Sequence, residues 1–174
     1  MKNFKLTVFF VVLILQSFIL FGQEVVVDTS GWQKFENLDQ RYGIKIPTDW
    51  VVNFDNKLGD YIFHSLKDGK DANNLAVEVN CKNVEKTLTL EKFYEDSKRS
   101  GASKYKDFAF VDSRNDKVKG IPTKWFSFAF TENELKKQGI QYCIVYNKNA
   151  YNITFSGSIG IFNDQTEFLT NILN

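Results

Sequence analysis

Tyr42-Gly43-Ile44-Lys45-Ile46-Pro47-Thr48-Asp49-Trp50 decides how the rest of this chain is read. Tyr42, Ile44 and Ile46 fall on alternate positions, the period of a strand with one buried face, and Gly43 and Lys45 fall on the other. Pro47 cannot donate to a ladder, so the strand ends there. Thr48 and Asp49 turn the chain, and Trp50 opens a second apolar run that reaches Phe54.

Strand signals extend in both directions. Upstream, Trp32-Gln33-Lys34-Phe35 mixes apolar and polar residues and reads as a further strand. Downstream, residues 61–66 pair with 50–54 as a hairpin around Asn56-Lys57-Leu58-Gly59. Leu75, Val77, Val79 and Cys81 then form an apolar face, with Glu78 and Asn80 opposite. The period next changes to that of a helix: Leu90, Phe93, Tyr94 and Ser97 share one side. Thr89 is the predicted N-cap, Glu91 suits the first turn, Lys98 and Arg99 suit the last, and Gly101 is the predicted stop. The spacing thus predicts a helix over 89–100.

Strands return over 108–112, 123–130, 140–146 and 151–156. The polar stretches between them read as turns at Arg114-Asn115-Asp116, over 132–139 and at Asn147-Lys148-Asn149, giving an antiparallel meander. Asn163 is placed to cap a closing helix with Phe168, Leu169, Ile172 and Leu173 on its face. Strands with a helix in the middle and one at the end give an α+β domain, an antiparallel sheet flanked by helices.

The first 22 residues stand apart. Lys2 and Lys5 precede an apolar run over 6–15, a polar break at Gln16-Ser17, a second apolar run over 18–21, and Gly22. A basic start, a short apolar core and a small residue before the cut form the secretory pattern, and the run is shorter than a membrane span requires. Residues 1–22 are therefore expected to be a cleaved signal peptide, 23–31 a flexible lead and 32–174 one domain of an exported, periplasmic or extracellular protein with no stable membrane span after cleavage. The leader carries two of the 22 basic residues and none of the 21 acidic ones. The remainder is near neutral, which argues against a nucleic-acid partner. Lys106-Asp107-Phe108-Ala109-Phe110-Val111 has the look of an aromatic RNA-binding signature, but Asp107 replaces its glycine; a strand with Phe108 and Phe110 in the core is expected instead.

Chemistry is sparse. The one histidine, His64, sits in a predicted strand, where a structural or surface role is expected. Ser156-Gly157-Ser158-Ile159-Gly160 misses the nucleophile-elbow spacing, because Ser156 stands where its first glycine belongs. Residues 68–74 carry oxygen ligands without the alternation of a calcium loop, and residues 112–116 are weaker still. Asn152-Ile153-Thr154 is a glycosylation sequon inside a predicted strand, a poor acceptor context. Cys81 and Cys143 could form a disulfide in an oxidising compartment, or remain buried thiols. No metal or cofactor is called for.

The quoted opening segment resembles that of PsbP-like domains, in which a Tyr-Gly-apolar strand ends at Pro before a short turn and a Trp. Thr89-Leu90-Glu91 at the head of the helix, the Lys119 to Pro122 turn before an aromatic strand, and the Ala150 to Thr154 strand follow in the same order. The resemblance spans 32–174. It implies an α/β/α sandwich in which Tyr42, Pro47 and Trp50 build the first hairpin and its packing. Members include an extrinsic photosystem II subunit, a eukaryotic Ran-binding transport factor and exported bacterial proteins, so the fold implies a binding scaffold and little about activity. The expectation is an exported, non-enzymatic accessory module of the cell envelope, with an envelope protein as partner and a contact surface drawn from Trp32, Trp50, Trp125 and Tyr142. The alternative is a carrier or sensor of a small apolar molecule held between sheet and helix. A third reading is an enzyme working with acids and amides alone.

Overall fold

A computed structural model describes residues 31–55, 60–65 and 75–159. The leader, the 56–59 and 68–74 loops and the closing helix expected after Asn163 lie outside the described residues. The elements are β1 (Trp32–Asn37), β2 (Tyr42–Pro47), β3 (Trp50–Asp55), β4 (Asp60–Ser65), β5 (Ala76–Asn83), α1 (Leu90–Lys104), β6 (Lys106–Val118), β7 (Ile121–Glu132), β8 (Leu135–Tyr146) and β9 (Asn149–Ser158). The architecture is α+β and antiparallel. β1 and β2 form a two-stranded hairpin; the other strands form a seven-stranded sheet in the order β3-β4-β5-β9-β8-β7-β6.

Strand alternation sends the side chains of this sheet to two differently covered faces. Tyr61, Phe63, Val77, Val79, Tyr142, Ile153 and Phe155 lie on one, and the β1–β2 hairpin brings Phe35, Ile44 and Ile46 down onto them. Phe35 meets Tyr61 and Phe63 at centroid separations of 4.9 and 5.1 Å. Phe126, Phe128, Phe130, Cys143 and Ala150 lie on the other face under Phe93 and Tyr94 of α1. Among the described residues the cover is thus a helix on one side and a hairpin on the other, rather than helices on both.

The helix starts as predicted, with the Lys92 amide donating to the Thr89 hydroxyl at 3.2 Å. It does not stop at Gly101. That residue is buried inside α1, where a Cβ would come within 3.1 Å of the Phe108 ring, and the helix runs on to Lys104. Its glycine is a close-approach residue, not a cap.

The turns also differ from expectation. Residues 114–116 are not a turn but the middle of β6, paired with Thr123, Lys124 and Trp125. They read as a turn because a sheet edge needs no apolar face. The reversals are tighter: Lys119-Gly120, Asn133-Glu134 and Asn147-Lys148, all at positive φ. These are two-residue hairpin turns whose twist matches the strands. β6 itself is an edge strand with two register shifts, a positive φ at Asp107 and charged Asp112, Arg114, Asp116 and Lys117, features that discourage edge pairing. Phe110, on this edge strand, is 46% exposed beneath Lys98 instead of in the core, while Phe108 stacks on Phe128 at 5.2 Å.

Candidate functional site

Among the described residues the hairpin does not cover its whole face of the sheet. Next to it a half-open cleft of about 430 Å³ remains, bounded by β2, the β6–β7 turn and the β8–β9 end of the sheet. Ile44, Val79, Ile144, Tyr151 and Ile153 supply apolar lining that strand alternation puts on one face. Tyr42 lies at the β2 end, its ring edge-on to Tyr151 at 6.3 Å. The hairpin is tied down here: the Tyr151 hydroxyl and the Cys81 thiol both donate to the Gln40 carbonyl, at 3.1 and 3.8 Å. The Asn37 carboxamide braces that turn by accepting from the Gln40 amide at 3.0 Å.

The charged lining is one-sided. Lys34, Arg41, Lys45 and Lys119 border the cleft against a single carboxylate, Glu36. Glu36 is bound to Lys34 at 2.5 Å. Lys34 and Lys45 are direct cross-strand partners, a like-charge placement that costs stability. Arg41 and Lys119 both sit at left-handed turn positions, with φ of 57° and 50°.

A second cleft, of about 290 Å³, lies between α1 and the sheet. It is polar: Glu78, Asn80, Ser97, Gln141, Asn152 and Thr154 are among its lining. Glu78 is held by Lys104, whose ammonium accepts a cost from burial but is kept charged above the ordinary lysine range by that carboxylate. Asp96 is paired with Arg99. Asn152 accepts from the Ser97 hydroxyl at 3.1 Å and the Cys143 thiol at 3.4 Å, so the sequon amide is engaged inside the fold. Among the described residues the cleft between sheet and helix is the more polar of the two, and the more apolar lining is on the hairpin face.

Neither family models nor curated proteins match this chain. Solved structures do. Cyanobacterial PsbP (CyanoP) from Synechocystis sp. PCC 6803 superimposes with a TM-score of 0.66 at 10% identity, over 87% of this chain and 95% of that one. The fold is PsbP-like. A Pseudomonas aeruginosa protein of unknown function, PA94, is similar with a TM-score of 0.55 at 9% identity, over 80% of this chain and 92% of that one.

In this PsbP-like frame the three motif residues belong to the first hairpin and the core beneath it. Tyr42 and Pro47 form the end pairs of the first hairpin, with Asn37 and Trp32, and Trp50 is in the core beneath it. The expected aromatic contact surface is not assembled. Trp50 and Tyr142 are buried, at 7% and 9% exposure, and Trp32 and Trp125 pack half-buried against the same cluster. Strand parity places Trp125 and Tyr142 side by side on the hairpin face. The exposed large apolar residues are others, among them Phe54, Phe110, Val111 and Tyr146.

Cys81 and Cys143 are both unbonded. Cys81 pairs with Tyr151 on the hairpin face and Cys143 with Asn152 on the helix face, with β9 between their strands. Two strand spacings, about 10 Å, exceed disulfide reach, and the side chains point apart. Burial pushes the Cys143 thiol up to about 11 and raises that of Cys81, so neither is a ready thiolate at neutral pH. His64 shares a 2.7 Å hydrogen bond with the Asn53 amide. Asp112 is used by Arg114 and by the Ser113 amide within a strand, which is no cation loop. Ser156 to Ser158 are plain β9 residues. No cluster of three His, Cys, Asp or Glu residues occurs among the described residues. No described helix is long and apolar enough to cross a membrane.

Sequence reasoning missed the cleft. Its one partial signal was the Lys119-Gly120 turn, which was legible as a turn but not as a wall facing Arg41.

Proposed function

We propose that this chain is an exported, non-enzymatic binding module of the cell envelope, and that it binds at the cleft between the β1–β2 hairpin and the sheet. The observation that carries the reading is the cleft itself: a concave surface of ligand size with an apolar bed and a polar rim. The PsbP-like fold supports it, because the family this sequence resembles uses that fold as a binding scaffold. The raised thiols and the His64–Asn53 pairing also fit a protein without an activated nucleophile. The leader at 1–22 is the address.

The second reading, a carrier or sensor of a small apolar molecule, draws on the same cleft, now on the hairpin face instead of beneath the helix. Cell fractionation with N-terminal sequencing tests export, and native mass spectrometry of freshly purified protein tests occupancy. Mature protein starting near Gln23 in the envelope or outside the cell is expected, with a retained ligand or partner. Uncut protein in the cytoplasm would end the envelope assignment. A bare polypeptide mass that no envelope extract can alter would end the assignment of the cleft.

A further inference from the structure

The charges around the cleft select among ligands. The whole chain has a formal net charge of only +1, yet the cleft gathers Lys34, Arg41, Lys45 and Lys119 against one acid. Glu36 is occupied by Lys34. Among the described residues, Arg41, Lys45 and Lys119 enter no ion pair. Elsewhere some cations are matched, Lys98 with Glu95, Lys104 with Glu78, Lys124 with Glu91 and Lys137 with Glu132, while others, such as Lys92, Lys106 and Lys136, stand singly at exposed positions among the described residues. What sets the cleft apart is that its cations outnumber its acids four to one around a concave, largely apolar surface. That placement has a cost, since Lys34 faces Lys45 across the hairpin and like charges directly opposite destabilise a strand pair.

We propose that the cleft binds a small anionic amphiphile, a single-chain molecule with an apolar body and a carboxylate or phosphate head. The body lies on Ile44, Val79, Ile144, Tyr151 and Ile153, and the head meets Arg41 and Lys119. The guanidinium of Arg41 offers two parallel donors to such a head, and both Arg41 and Lys119 are carried on tight turns whose backbone is fixed by strand pairing. A neutral apolar molecule would leave these charges unanswered, and a free inorganic anion would leave the apolar bed wet. A cleft of about 430 Å³ is the size of a small-molecule site, not of a nucleic-acid track. The inference rests on the binding role proposed for this cleft.

The test is calorimetric titration of the mature protein, with each amphiphile kept below its micelle concentration. The probes are dodecyl phosphate, dodecanoate, dodecanol, dodecyltrimethylammonium and inorganic phosphate. Dodecyl phosphate and dodecanoate are expected to bind at least about tenfold more tightly than dodecanol or the cationic chain, and more weakly as salt rises. The double variant Arg41→Gln, Lys119→Gln, both at exposed positions, should lose that tenfold preference while keeping the wild-type melting temperature and its residual affinity for dodecanol. Equal binding of dodecanol overturns the head-group assignment but leaves the cleft as a binding site. Equal binding of inorganic phosphate overturns the apolar body. Retention by phosphatidylglycerol vesicles without binding of the single-chain probes overturns the inference in favour of a membrane surface. If no probe binds, the ligand class is wrong, and fractionation and native mass spectrometry still judge the envelope role on their own.

Discussion

The two faces of the sheet solve the same burial problem differently. On the helix face, α1 closes over an aromatic layer by close approach: Phe108 lies against Gly101, and Phe128 lies over Gly139, where a Cβ would come within 2.6 Å of its ring. Phe126, Phe128 and Phe130 run in sequence along that side of β7, with neighbouring rings 5.5–5.7 Å apart. On the hairpin face, among the described residues, two six-residue strands close over part of the sheet and a cleft remains beside them. A helix with glycine in its contact stripe can settle to van der Waals distance. A short twisted ribbon cannot span seven strands. The tight face supplies stability, and the incomplete face supplies the cleft.

The sharpest way to break this contrast is on the tight face. Phe128→Ala should cost about 3–5 kcal/mol in urea unfolding, the range for a fully buried ring. Gly139→Ala should cost about 1–3 kcal/mol alone, by overpacking, and much less in the Phe128→Ala background, because the ring is what its Cβ would strike. Additive costs in that double-mutant cycle would show that the close approach is not what makes glycine necessary there.

Next in size is an alkaline effect at Cys143. Burial lifts its pKa from 9.0 to about 11, so above pH 9 the unfolded chain gives up a proton that the folded one keeps. Stability should therefore be fully present below pH 9 and be lost as pH climbs through 11. Cys143 contributes about 3 kcal/mol of that loss at most, and Cys143→Ala should remove its share. Burial raises Cys81, Tyr105, Tyr142 and Tyr151 too, so a residual slope is expected in the variant. An unchanged profile in Cys143→Ala would show that this thiol is not the desolvated group.

Smaller effects separate the two covers. Tyr151→Phe removes the hydroxyl that holds Gln40 and should cost about 1 kcal/mol. Hydrogen exchange should quicken in β1 and β2 and stay unchanged in α1. Thr89→Ala removes the N-cap and should cost about 1 kcal/mol or less, with the opposite pattern of exchange. Quickened exchange over both covers in either variant would mean that hairpin and helix open as one unit, and the distinction between the faces would fall.

Much of this fold was legible in the residues. β2 was read with its observed bounds, because its alternation and its proline are local signals. The helix and its cap were read from a period and a threonine, for the same reason. Residues 114–116 were read as a turn although they lie within β6, since edge position is a property of the sheet and not of the segment. Gly101 was misread as a stop because a packing glycine and a capping glycine look alike until the ring above it is in view.

The candidate site was not legible. Trp50 and Tyr142 drew attention as aromatic residues, but parity turns them inward, and parity is set by pairing partners far away in the chain. The sequence by itself determined the α+β class, the alternation of each strand, the helix and the likeness to PsbP-like domains. These follow from side-chain period and local backbone preference. Only the tertiary structure decided which face each cysteine took, how far the hairpin reached and that Arg41 and Lys119 border one opening. Those depend on register and sheet order, which bring together residues that no local pattern links.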